Sequence, residues 1–151
     1  MHAWRSLAAA VLAGGALLLN SGCASRATAN VTSGADVAGA RTFYVAQTPE
    51  DTRGIQNLIR DNLVKRGFAA SAGPQTTQPP PADVLVTYVD RWMWDITMYM
   101  LELTITFRNP ANSFPMAVGN SYHTSLARLS PEQMVDEVLG NIFNKSKENT
   151  K

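Results

Sequence analysis

Between Asp83 and Arg108 the chain runs for 26 residues without a glycine, proline or asparagine, and it is rich in the aromatic and β-branched side chains that strands favour. Fully extended, that run would reach roughly 85 Å, several times the length of an ordinary strand. It must double back, and the polar residues Asp90 and Asp95 mark the place. A loop over residues 92–95 sets Tyr88 opposite Tyr99, Val86 opposite Leu101 and Val84 opposite Leu103, with Ile105 and Phe107 continuing the same apolar face. The other face carries Thr87, Val89, Met98, Met100 and Glu102. A long hairpin within a sheet is the first expectation.

Its flanks are punctuated. "SAGPQTTQPPPAD" before it holds four prolines, which remove amide donors and exclude helix or inner strand. "NPANS" after it is turn-forming, and "FPMAVGNSYHTSLA" returns as a third strand. That strand sets Met116, Val118, Tyr122 and Leu126 on one face and small residues with His123 on the other. "LSPEQMVDEVLGNIF" is a helix with Ser130 as cap, Pro131 in its first turn and Gln133 completing a capping box. Leu129 and Met134 fit a hydrophobic staple, and Val135, Val138, Leu139, Ile142 and Phe143 form its apolar stripe.

Earlier in the chain, "RTFYVAQ" at 41–47 reads as a strand. A helix follows, capped by Asp51 or Thr52, with Leu58, Ile59 and Leu63 as its stripe and Gly67 as its left-handed stop. A short strand near Phe68–Ala70 comes next. The order predicts an α+β domain: a largely antiparallel sheet of four to five strands with two helices packed on one face.

The amino terminus differs from the rest. Arg5 precedes "LAAAVLAGGALLL" at 7–19, an uncharged run too short for a stable membrane span but suited to a secretory signal. Cys23, the one cysteine in the chain, comes just behind it in "NSGCAS". A lone cysteine so placed, behind Ser21 and Gly22, resembles the signal of bacterial lipoproteins, although Asn20 stands where that family usually has an apolar residue. The resemblance implies that Cys23 becomes the first mature residue and carries acyl chains such as palmitate. Ala24 in place of an aspartate implies the outer membrane, on its periplasmic face. Residues 1–22 are then the signal peptide. Residues 23–40 are the lipidated cysteine and a flexible tether, since "ASRATANVTSGADVAGA" is small and polar. Residues 41–145 form the single domain, and 146–151 a polar tail. Over residues 40–145, "RTFYV", the helix ending "RGF", "ADVLVTYVDRWMWD" and "SPEQMVDEVLGNIF" are similar to a group of uncharacterised small bacterial lipoproteins with a domain of unknown function. That resemblance brings no activity with it.

Charge excludes one class of partner. Without residues 1–22 the chain keeps 12 basic and 12 acidic residues, and it lacks the basic face that nucleic acid requires. Chemistry is sparse. His123, the single histidine after the signal, has Ser121 and Ser125 two positions away, but no nucleophile elbow accompanies them and the bland reading is a surface histidine among small residues. Asp90, Asp95 and Glu102 lack the spacing of a calcium loop. Neither a cofactor nor a metal is expected, and no catalytic residue.

"RWMWDITMYM" at 91–100 is the remaining feature. Trp92 and Trp94 either cap the core, or expose a contact patch with Arg91, Met98 and Met100 for an envelope protein or a second copy, or stack on a cell-envelope glycan. The expectation is therefore a non-enzymatic, lipid-anchored interaction or structural module of the cell envelope, with glycan binding through Trp92 and Trp94 as the alternative.

Overall fold

The computed structural model describes residues 25–149. The strands are β1 (Arg26–Val31), β2 (Thr42–Gln47), β3 (Ala69–Pro74), β4 (Val84–Asp95), β5 (Thr97–Arg108) and β6 (Pro115–Tyr122); the helices are α1 (Ile55–Lys65) and α2 (Pro131–Asn149). They form one six-stranded sheet in the order β1-β6-β5-β4-β2-β3. The α+β class with two helices on one face holds, but there are six strands rather than four to five. The sheet is mixed, because β2 pairs in parallel with both β3 and β4. The parallel pairs follow from connectivity: α1 carries the chain back between β2 and β3, as parallel neighbours require.

One core lies between the sheet and the helices. Ile55, Ile59 and Leu63 of α1 and Met134, Val135, Val138, Leu139 and Ile142 of α2 meet Val84, Val86, Leu103, Ile105 and Phe107. Phe43, Phe68, Phe107 and Phe143 join end to end, with ring centroids 4.8–5.4 Å apart for the three closest pairs. Each buried ring contributes about 2 kcal/mol by removal from water. Two helix ends follow their signals, while the N-cap of α1 is Gly54 rather than Asp51 or Thr52. Ser130 and Gln133 exchange the two capping-box hydrogen bonds, at 2.9 and 3.2 Å. Gly67 stops α1 with φ 92°.

Three expectations are corrected. First, residues 26–40 are not a tether. β1 pairs antiparallel along its length with β6, and Val31, Val37 and Ala40 are buried. The small side chains that give a weak apolar signal are the ones that fit beneath α2 at a sheet edge. As a consequence α2 runs on to Asn149, past the expected tail: Ser146 is buried, and the Asn149 side-chain amide donates to the Val31 carbonyl at 3.4 Å. Second, residues 92–95 are strand rather than loop. Val86 faces Phe107 and Tyr88 faces Ile105, and the chain reverses at Ile96. Third, β6 turns its small residues inward. Ala117 and Ser121 are buried, and a Cβ on Gly119 would stand 2.7 Å from Val138 Cγ1, so α2 lies almost on the backbone. Val118 points out.

Candidate functional site

The hairpin of β4 and β5 outgrows the sheet. Arg26, Tyr122, Glu102 and Arg91 are aligned across β1, β6, β5 and β4. Beyond that row, among the strands, only β4 and β5 continue, to Asp95 and from Thr97. Four further residues at about 3.3 Å each carry the arm roughly 13 Å out. At the row the register shifts: Arg91 faces Glu102, but Trp92 faces Met100, so Leu101 is the extra residue of a bulge. The bulge switches the face of β5. Met100, expected on the outer face, is instead buried in the core at 1% exposure.

The two tryptophans divide between the competing readings. Trp92 is half-buried, its Nε1 donating to Asp90 and one ring face covered by the Arg53 guanidinium at 4.1 Å. Trp94, paired across the arm with Met98, is 68% exposed. Met98 is exposed as well, and Arg91 is paired with Glu102 at 2.9 Å. Of the five expected contact residues the structure brings Trp94 and Met98 into an exposed pair, while Trp92 and Met100 form the anchored base. Sequence reasoning missed Met93, also exposed, and Ile96, which is 87% exposed at the apex with φ 60°. A β-branched side chain in the left-handed region is strained by about 1–2 kcal/mol, and water around it adds nothing in return. Leu126, in a 3₁₀ turn just after β6, is 84% exposed at the same end of the sheet. Next to it Arg128 covers Tyr99 at 4.6 Å and donates to Thr97 Oγ1 at 2.7 Å.

Beneath the arm lies a buried polar post. The Asp51 carboxylate accepts the amides of Arg53, Gly54 and Gln56 at 2.7, 2.9 and 3.4 Å and the Tyr88 hydroxyl at 2.5 Å. Burial pushes the Asp51 carboxyl up, but the Tyr88 hydroxyl and the three amides outweigh it and hold the group below the usual carboxylate range. Burial, then the neighbouring carboxylate, drives the Tyr88 hydroxyl well above the usual phenol range. The post locks the 48–54 loop to β4, and so sets Arg53 against Trp92.

His123 is buried rather than on the surface. Its Nε2 and the Ser121 Oγ both meet Glu137 Oε2, at 2.9 and 2.6 Å. The serine hydroxyl donates to the carboxylate and is fully buried, so this arrangement fastens β6 to α2 rather than presenting a nucleophile. Asp90, Asp95 and Glu102 are occupied by Trp92, Arg128 and Arg91. Among the described residues no group of three or more His, Cys, Asp and Glu is placed to hold a metal ion, and no helix is long and apolar enough to cross a membrane. Cys23 lies outside the described residues.

No family model and no curated protein matches the chain. Solved structures do. The PelC dodecamer from Paraburkholderia phytofirmans aligns over 79% of this chain and 98% of that one, with a TM-score of 0.58 at 12% identity. A point variant of the same dodecamer aligns over 77% and 96%, with a TM-score of 0.51 at 18% identity. At such identities the likeness is one of fold: nearly the whole of that chain shares the sheet and helix arrangement seen here.

Proposed function

We propose that this chain is a lipid-anchored module on the periplasmic face of the outer membrane, non-enzymatic, that acts by assembling with further copies of itself or with an envelope protein. The observation that carries the reading is the position of Cys23. It stands behind a short apolar run and only three residues ahead of Arg26, where β1 begins. Acyl chains on that cysteine would hold a folded domain directly against a bilayer. Self-association is supported by the two fold neighbours, both of which are dodecamers. The glycan alternative draws less support, because Arg53 already lies on the ring of Trp92 and leaves Trp94 as the one freely presented indole among the described residues.

The test is expression of the whole chain in a Gram-negative bacterium, followed by separation of the membranes and intact mass. The reading expects an amino terminus at Cys23 with acyl chains, residence in the outer membrane, and loss of both on Cys23→Ser. Detergent-solubilised protein should sediment as a multimer. An unacylated protein in the soluble periplasm would end the anchored reading, and a monodisperse monomer would end self-assembly and leave an envelope protein as the partner.

A further inference from the structure

Two features that sequence places far apart leave the sheet at one end. β1 enters at Arg26, in the row with Tyr122, Glu102 and Arg91, and the β4–β5 arm departs from that same row. Cys23 precedes Arg26 by three residues, so it reaches at most about 10 Å beyond the row. Trp94 follows Arg91 by three residues and reaches a similar height, roughly 10 Å. Sideways, β1 and β4, which carries Trp94, are separated by three strand spacings, about 14 Å. A surface that holds Cys23 is therefore kept within reach of the arm.

We infer that the tip of the β4–β5 hairpin is a lipid-facing wedge, seated in the headgroup layer of the membrane that holds the acyl chains of Cys23; this rests on the anchored reading above. The exposed groups of the tip suit that layer. Trp94 is amphipathic and typical of membrane interfaces, with Met93, Ile96 and Met98 as exposed apolar neighbours along the arm. Arg26 and Arg91 sit at the row, below the apolar tip, where long arginine stems let charges reach headgroup phosphates, while the Arg128 guanidinium lies higher, against Thr97. The strained Ile96 gains burial there that it lacks in water. The tether that would have allowed the domain to stand clear is a paired strand. A second copy on the tip is the competing occupant, but only the lipid surface is brought to this end of the sheet by the chain itself.

The experiment uses the full chain, purified from bacterial membranes in its acylated form and placed in vesicles with and without brominated lipid. Signal removal leaves Trp92 and Trp94 as the indoles, and Trp92→Phe isolates Trp94. Intact mass establishes acylation first. The wedge predicts that brominated lipid quenches Trp94 strongly and that iodide in the buffer does not. The unsubstituted chain gives the same differential should Trp92→Phe fail to fold. Acylated protein whose Trp94 remains open to iodide overturns the wedge and leaves the anchor standing. Trp94 shielded from both quenchers in a multimer overturns it in favour of a second copy. Protein without acyl chains removes the anchored reading, and the wedge with it.

Discussion

The polar post beneath the hairpin allows a quantitative test of how the arm is held. Asp51→Ala removes the acceptor of three loop amides and leaves the Tyr88 hydroxyl, 2% exposed, with a long contact to Gln56 Oε1 at 3.5 Å in place of the carboxylate. The amides lie at the start of a helix, where losing such an acceptor costs about 1 kcal/mol. The lost charge-assisted bond, together with a buried donor left to a weaker acceptor, adds about 2 kcal/mol. The variant should therefore lose about 3 kcal/mol. Tyr88→Phe deletes the donor but leaves the carboxylate its amides, and should lose about 1.5 kcal/mol. With both changes no buried hydroxyl is left under-satisfied, so the double variant should lose about 2.5 kcal/mol rather than the 4.5 of simple addition. Urea unfolding followed by circular dichroism measures all four proteins. Additive losses, or an Asp51→Ala loss below about 1 kcal/mol, would refute the post as drawn.

Acid should act on the same group. The folded Asp51 carboxyl titrates below its unfolded value, so its contribution is complete above about pH 4 and declines as pH falls through the folded pKa. The stability gap between the natural chain and Asp51→Asn should narrow between pH 5 and pH 2 in the same urea assay, and a constant gap would count against it. Ile96→Gly relieves the left-handed strain at the apex, and after allowing for glycine's greater unfolded entropy should raise stability by about 0.5–1 kcal/mol, read as a higher thermal midpoint. Gly119→Ala should cost about 1–3 kcal/mol, because its Cβ meets Val138 and Ile142 below 3 Å; unchanged thermal unfolding would show that α2 yields there.

Much of this architecture is legible in the residues, and its failures have definite causes. The caps of α2 and the glycine stop of α1 are local chemistry, and they appear where the sequence puts them. The hairpin was legible as a hairpin but not in its register. Val86 meets Phe107, six positions beyond the expected Leu101, an even displacement that leaves every core-facing residue of β4 on the core side. The turn was hidden because Ile96 carries no turn signal: long cross-strand pairing on both sides overrides its local preference. Met100 changed sides because a bulge is invisible to strict alternation. β1 was missed because "RATANV" offers only Ala29 and Val31 to the core, and their burial depends on α2, a hundred residues away. The candidate site was half legible. The cluster of large side chains marked the arm, while the division between an anchored Trp92 and an exposed Trp94 depends on Arg53, which nothing in the stretch itself announces.

The proposed orientation of the domain toward a membrane depends on β1 being a strand that begins at Arg26. Amide hydrogen exchange on the acylated full chain measures this directly. As an edge strand paired only with β6, β1 should show protection at alternate amides between Ala27 and Val31, approaching that of β6 itself. Exchange of all those amides at the rate of an unstructured peptide would return the segment to a tether, free the domain from the bilayer and contradict the account.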